Sequence, residues 1–568
     1  MDKKTKVAVI GSSAVILLII LVAGLLIKRY VTPSNEVLLL TDYYPIENED
    51  VLVILQDEIY EKKGLVLDGK VYLDYETIID KFNHRFYWDD NENILTYTTP
   101  NEIIQAQAGE TDYTVTKSMI KTKVSSDYPI VEVFAKNVYI ALDFVKKYSD
   151  LNYQYYKEPN RVVIQYKWGD FLYTEVKKAT QLREEADIKS PILVELAQGT
   201  NLAYVEMDEA PRNGFSKVMT ADGIIGYVRN KHIKKSFYKT IESDYVAPEY
   251  VTQTRPGKIN LVFHQVFNKD ANANLEELIK ATKGVTVVSP TWFSINDVSG
   301  TFSSIASKEY VEKAKSLGLE VWALIDDFNP EVSMLELLSH TSRRETLSNA
   351  LVEAALEYQL NGINIDFEKI SSEAGKHYVQ FIRELSVKCR NNGIVLSIDT
   401  YVPSPYTRHY GREELGVVAD YIIVMAYDEH HGGSEIAGPV SSLGFVKDAV
   451  NNILTVVPKE KTIIAIPFYT RLWKETPDGD VSAESLAMTP AANTLEANNA
   501  TIEWNDTYGC YYGEYEKDGA IYKMWQEEDR SIEEKLKVIY DADVAGIGAW
   551  KLGLEKESIW NVVIRYLN

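Results

Sequence analysis

From Lys258 onward, short apolar runs alternate with amphipathic stretches, and this rhythm restricts the fold more than any other feature of the chain. Eight runs read as strands: "KINLVFHQ" from Lys258, "VTVVS" from Val285, "EVWALI" from Glu320, "GINIDFE" from Gly362, "IVLSIDT" from Ile394, "YIIVMAY" from Tyr421, "TIIAIPF" from Thr462 and "GIGAWKL" from Gly546. The stretches between them include "SKEYVEKAKSLG" and "YVQFIRELSVKCRNNG", each closing in a glycine suited to a helix C-cap. Strands joined through helices pair in parallel, and eight such units predict an α/β fold of the (β/α)8 TIM barrel class over 255–568. The interval from Trp473 to Arg530 breaks the rhythm. Its segment "YYGEYEKDGAIYKMW" alternates like a hairpin around Lys517-Asp518-Gly519, so a small α+β insertion is expected at about 474–530, after the seventh strand.

Upstream, residues 71–97 and 138–166 look like one unit written twice. Each opens on Val-Tyr, passes through a short helix-like stretch and closes with two alternating strands around a polar turn, "DDNEN" or "KEPN". A two-repeat α+β domain is therefore expected over 37–170. The pair resembles the duplicated copper amine oxidase N-terminal-like modules of bacterial surface proteins. That name implies no copper here, because the two copies share only one histidine, His84, and no ligand cluster. Residues 171–240 hold short β-like runs, "PILVELAQGT", "NLAYVEM" and "GFSKVMTADGIIGYVRNKHI", and resemble a small SH3-like β barrel. Such a module would hold wall peptide or space the next domain. The join "VAPEYVTQTRPGK" then leads into the barrel.

Val7 to Ile27 is free of charge and long enough to span a bilayer. It ends in "LLIKRY" without a small-residue cleavage site, which predicts an uncleaved transmembrane anchor with residues 1–6 as a cytoplasmic tail. Lys3, Lys4 and Lys6 precede the span, Lys28 and Arg29 follow it, and the bulk of the chain is expected outside the cell membrane. Cys389 and Cys510 are too few for a disulfide scaffold and read as unpaired thiols. A formal net charge of −23 argues against nucleic acid as a partner.

The chemistry concentrates in "LNGINIDFEKI", Leu360 to Ile370. Strand side chains alternate, so Asn364, Asp366 and Glu368 share one face while Ile363, Ile365 and Phe367 share the other. In a barrel the apolar set suits the helices, which sends the polar row inward. Burying carboxylates costs several kcal/mol each unless compensated. At the C-terminal mouth of a barrel, however, such a row serves catalysis. A negative neighbour and partial burial raise an acid's pKa, as a general acid near neutrality requires.

"NGINIDFE" resembles the DGxDxDxE signature of family 18 glycoside hydrolases, in the variant of bacterial spore and cell-wall N-acetylglucosaminidases. "MAYD" (Met425–Asp428), "IPFYTRLW" (Ile466–Trp473) and "GIGAWKLG" (Gly546–Gly553) match that family's strand-six, strand-seven and strand-eight patterns. The resemblance implies substrate-assisted retaining hydrolysis of β-1,4-linked N-acetylglucosamine glycans, peptidoglycan or chitin-like, without metal or cofactor. By that resemblance Glu368 is the acid and base, Asp366 orients the 2-acetamido group that attacks the anomeric carbon, and Tyr427 hydrogen-bonds the acetamide. Asp428 and Arg471 would fix sugar hydroxyls and Trp550 would floor the sugar, with Asn364, Met425 and Tyr469 completing the substrate contacts. Asn361 and Asn364 stand where chitinases usually carry Asp, which argues against processive chitin cleavage. A second mechanism would use Asp326, Asp327 or Asp399 as nucleophile about 5–5.5 Å from Glu368. The rivals from other classes are a non-catalytic lectin-like barrel and a wall-tethered scaffold.

Overall fold

The computed structural model describes residues 3–205 and 214–567. Met1 and Asp2 of the expected tail, and Glu206 and Met207 of "NLAYVEM", lie outside the described residues. The chain divides into two compact units. One comprises residues up to Phe86 with Ala108–Thr111 and Ser126–Ala247; the other comprises Tyr87–Gln107, Asp112–Ser125 and everything from Pro248.

The first unit begins with the helix Lys3–Tyr30. Its segment Ser13–Tyr30 has a mean hydropathy of 2.1 and buries nothing against the protein, so by length and composition it can cross a membrane. The two sequence copies meet in an eight-stranded sheet, where Lys70–Asp74 pairs antiparallel with Asn137–Ala141 and Leu73 faces Ile140. Helices Tyr75–Lys81 and Leu142–Tyr148 follow these strands, the first capped by the Asp74 carboxylate on the Thr77 N–H. Seven antiparallel strands between Gly169 and Ile241 form a second sheet.

The second unit is built on a closed parallel barrel. Its strands are β1 (Ile259–His264), β2 (Val287–Ile295), β3 (Glu320–Asp326), β4 (Gly362–Asp366), β5 (Val395–Tyr401), β6 (Tyr421–Met425), β7 (Thr462–Pro467) and β8 (Gly546–Trp550). Each pairs in parallel with the next, and β8 returns to β1 through Leu261 opposite Gly548. This is the (β/α)8 fold that the strand and helix rhythm predicts. Ile363, Ile365 and Phe367 pack outward in the helix-facing core; Leu261, Phe263, Trp322, Leu324, Tyr421 and Ile463 fill the lumen. Trp322 stacks on Tyr421 inside the barrel, with centroids 5.2 Å apart. Gly362 is required at the base of β4, since a Cβ there would lie 2.7 Å from Trp322 and 3.0 Å from the Val395 carbonyl. Cys389 and Cys510 are free and buried.

After β7 the chain forms a five-stranded antiparallel sheet with the helix Met488–Ala497. The sheet starts at Tyr469, before the expected boundary, because the chain turns off the barrel at Phe468, whose N–H is held by the Trp550 carbonyl at 2.7 Å. Its hairpin turns at Asp518 and Gly519, both with positive φ (51° and 75°).

One feature departs from the sequence reading. The closing strands of the first copy, Tyr87–Asp89 and Ile94–Thr98, do not stay with 37–170 but open a five-stranded antiparallel sheet within the barrel unit. Polar anchors on the barrel helices explain this. Asp89 Oδ2 accepts from the N–H and hydroxyl of Thr341, both at 2.6 Å, and so caps the helix Thr341–Tyr358 from another part of the chain. Tyr87 Oη meets His377 Nδ1 at 2.5 Å and accepts from Arg344 at 3.2 Å. Arg344 and Glu384, paired at 3.1 Å, are both fully buried there.

Candidate active site

The site lies where β3, β4, β5 and β6 end at the C-terminal mouth, and its base is a row of buried polar groups. Asn364, on β4, has both amide hydrogens committed, to Ser397 Oγ (3.0 Å) and Asp399 Oδ1 (2.9 Å), and its oxygen accepts from Ser289 Oγ (3.3 Å). It is entirely buried. Its place is therefore beneath the carboxylates, and the expected sugar contact by Asn364 is corrected to an internal support.

Asp366 sits at the end of β4, 5% exposed. Burial pushes its pKa well above the ordinary carboxylate range, and Asp399, Glu368, Asp327 and Asp326 push the same way. Glu368 lies past the strand end rather than on it, because β4 stops at Asp366. The backbone beyond is fastened from the neighbouring strand: Asp327 accepts from the Glu368 N–H at 2.9 Å and from the Lys369 N–H at 2.8 Å. Phe367 stacks outward on Phe381, with centroids 5.9 Å apart. Together these contacts turn the Glu368 carboxyl toward the mouth. Burial raises its pKa, opposed by a 2.6 Å hydrogen bond that Tyr401 Oη donates to Oε2.

Tyr427 follows β6 and is half-buried against the lumen cluster. Burial raises its hydroxyl pKa strongly, with further contributions from Asp399, Asp366, Tyr469 and Glu368, which places it among those groups. Met425, buried at the end of β6, stands in register with Tyr401. Asp428, exposed and in the left-handed region (φ 56°), accepts from Tyr469 Oη at 2.5 Å and Arg471 Nη2 at 2.7 Å. Arg471 also donates to Ser485 Oγ at 2.9 Å. Tyr469 and Arg471 therefore reach the site from the first strand of the insertion rather than from β7. Trp550 ends β8, half-buried, its ring 5.4 Å from that of Phe263.

Each of the three alternative nucleophiles has at least one oxygen engaged. Asp326 Oδ1 accepts from Ser294 Oγ (2.9 Å) and the Phe328 N–H (3.1 Å), Asp327 holds two backbone N–H groups, and Asp399 is tied to Asn364. Tyr401 escaped the sequence reading. Its signal was present in "SIDTY", where Ser397, Asp399 and Tyr401 repeat on β5 the polar alternation of Asn364, Asp366 and Glu368.

A closed (β/α)8 barrel with an acid pair at its C-terminal mouth is the frame of a glycoside hydrolase. The family model of glycosyl hydrolases family 18 matches residues 250–555, and the chain belongs to that family. Among curated relatives, the cortical fragment-lytic enzyme of Bacillus subtilis (strain 168) is 27% identical over 245 residues, 41% of this chain and 56% of that protein. The cortical fragment-lytic enzyme of Bacillus anthracis is 23% identical over 248 residues, 42% of this chain and 56% of its own. The chain spans about half the length of these curated relatives. The crystal structure of the Bacillus cereus spore cortex-lytic enzyme SleL shares the fold with a TM-score of 0.50 and 19% identity, over 59% of this chain and 79% of that one.

Proposed function

We infer that the chain is a membrane-anchored, outward-facing hydrolase of β-1,4-linked N-acetylglucosamine glycans, with peptidoglycan the first candidate substrate. The carrying observation is the Asp366 and Glu368 pair at the barrel mouth, both held toward the protonated form by burial. A raised pKa favours the protonated Glu368 that donates to the glycosidic oxygen, and the Tyr401 hydrogen bond then steadies the carboxylate that remains. Asp366 orients the substrate's 2-acetamido group, whose carbonyl oxygen attacks the anomeric carbon in place of an enzyme carboxylate. The hydrogen bonds that engage Asp326 and Asp327 favour this substrate-assisted route over either of them as an enzyme nucleophile. Tyr427 hydrogen-bonds the acetamide, Asp428 and Arg471 hold sugar hydroxyls, and Trp550 lies under the sugar ring.

The preference for cell wall draws on the cortex-lytic relatives and on Asn361 and Asn364, which depart from the chitinase pattern. In this reading Val7–Ile27 anchors the chain with its N-terminus in the cytoplasm. The copper amine oxidase N-terminal-like repeats and the SH3-like module carry the barrel to the wall. The test is release of reducing ends from purified peptidoglycan and from chito-oligosaccharides, wild type beside Glu368→Gln. Turnover should fall by at least about 100-fold in the variant, with peptidoglycan the better substrate. Binding without release by the wild type would instead make the barrel a lectin.

A further inference from the structure

The residue facing Asp366 from the neighbouring strand has no place in the roles above. β4 and β5 run parallel with Asn364 opposite Ser397 and Ile365 opposite Ile398. The next residues on each are Asp366 and Asp399, on the same inward face as Asn364 and Ser397, on strands about 4.8 Å apart. Asp399 is 2% exposed. Asp399 Oδ2 and Asp366 Oδ1 are both buried without a hydrogen-bond partner among the described residues. Asn364 cannot serve either atom, since its two hydrogens go to Ser397 and to the other oxygen of Asp399. The groups that act on Asp366 most strongly are acidic from every side: Asp399 on β5, Glu368 beyond β4, and Asp326 and Asp327 at the end of β3. The hydroxyls of Tyr401 and Tyr427 border the same space. Two carboxyls so placed do not both ionise; they titrate as a pair that keeps one proton.

We propose that Asp399 is a positioning residue that shares a single proton with Asp366 and keeps it while Asp366 turns to the substrate. This inference rests on the substrate-assisted reading above. When Asp366 accepts the acetamido N–H, the proton stays on Asp399 Oδ2, leaving Asp366 fully anionic beside the positive charge that develops on the acetamido group. When Asp366 turns back, Asp399 O–H donates to it again. One proton moves between two oxygens, and none is exchanged with solvent. An amide cannot play this part. Position 364, where chitinases usually carry Asp, holds Asn here, and β5 supplies the second carboxyl instead.

The experiment compares, in the detergent-solubilised full chain, wild type, Asp399→Asn, Asn364→Asp and the exchange Asn364→Asp/Asp399→Asn. Asp399→Asn should lower kcat at least about 10-fold with KM within about threefold, and move the acid limb of kcat upward by about one pH unit, because the mono-anion loses its internal donor. The exchange should recover most of kcat and return the limb. An unchanged limb and kcat in Asp399→Asn would overturn the proposal, as would an exchange no better than the single variant. If Asp399→Asn fails to fold, the exchange against Asn364→Asp decides: activity in the exchange supports a movable proton store, and inactivity rejects it. The infrared carboxylic-acid band at pH 7 needs no turnover. Loss of one and the same wild-type band in Asp366→Asn and in Asp399→Asn supports the pair even if no glycan is cleaved, whereas loss of a different band in each variant refutes it.

Discussion

Tyr401 Oη lies 2.6 Å from Glu368 Oε2, joining the end of β5 to the acid that stands just beyond β4. The hydroxyl favours the charged form of Glu368 against the burial that favours the neutral one. Tyr401→Phe removes the donor, so the Glu368 pKa should rise further. The alkaline limb of the pH–kcat profile should shift to higher pH, with kcat at the optimum reduced about 10-fold as the carboxylate base step loses its support. An unmoved limb would show that Tyr401 does not tune Glu368.

Arg471 grips Asp428 and Ser485 with separate nitrogens of one planar fork. Lysine offers a single ammonium and cannot reproduce that geometry. Arg471→Lys should raise KM about 10-fold and leave kcat within about threefold. Initial-rate kinetics on a soluble chito-oligosaccharide separate the two; an equal fall in kcat would place Arg471 in the chemical step.

Burial lifts the Asp327 pKa from 3.8 to about 6, although the Glu368 and Lys369 N–H groups pull it down. A carboxyl that holds its proton more tightly in the fold than in the unfolded chain stabilises the fold below about pH 4, and that contribution is lost as pH climbs through about 6. The unfolding free energy of wild type relative to Asp327→Asn should therefore decline between about pH 4 and pH 6, as denaturant titrations at a series of pH values will read. A flat difference would mean that Asp327 is already ionised across that range.

Asp89 caps the helix Thr341–Tyr358 through Thr341. Asp89→Ala should destabilise the barrel unit by about 0.5–2 kcal/mol, the range for a lost cap. Residues 250–568 produced alone should unfold at a still lower temperature, since the buried Arg344 and Glu384 lose the cover of Tyr87. Calorimetry of the full chain, its Asp89→Ala variant and the fragment checks both; equal midpoints would make the sheet a passive neighbour.

Local periodicity made the barrel legible. β1 to β8 are short apolar runs bounded by helix caps, and their lumen and helix faces follow from alternation along each strand. Glu368 is legible as an inward carboxylate, but not as a residue past the strand end, because the acceptor that fastens its backbone, Asp327, lies just beyond β3. The inward support that Asn364 gives is illegible locally for the same reason, since its partners Ser397 and Asp399 lie on β5. The docking of Tyr87–Asp89 left no local trace, because its pattern is satisfied equally by any apolar surface, and the groups that select this one include Arg344, His377 and Thr341, far along the chain.

The cap from Asp89 to Thr341 spans 252 residues of chain. At a synthesis rate of about 5–20 residues per second, the sheet that carries Asp89 exists for roughly 13–50 seconds before its docking helix has been made. During that interval its inner face, with Tyr87 and the carboxylate of Asp89, has no barrel to cover it. The order of synthesis thus places the docking of this sheet late and leaves its inner face open until the helix that covers it has been made.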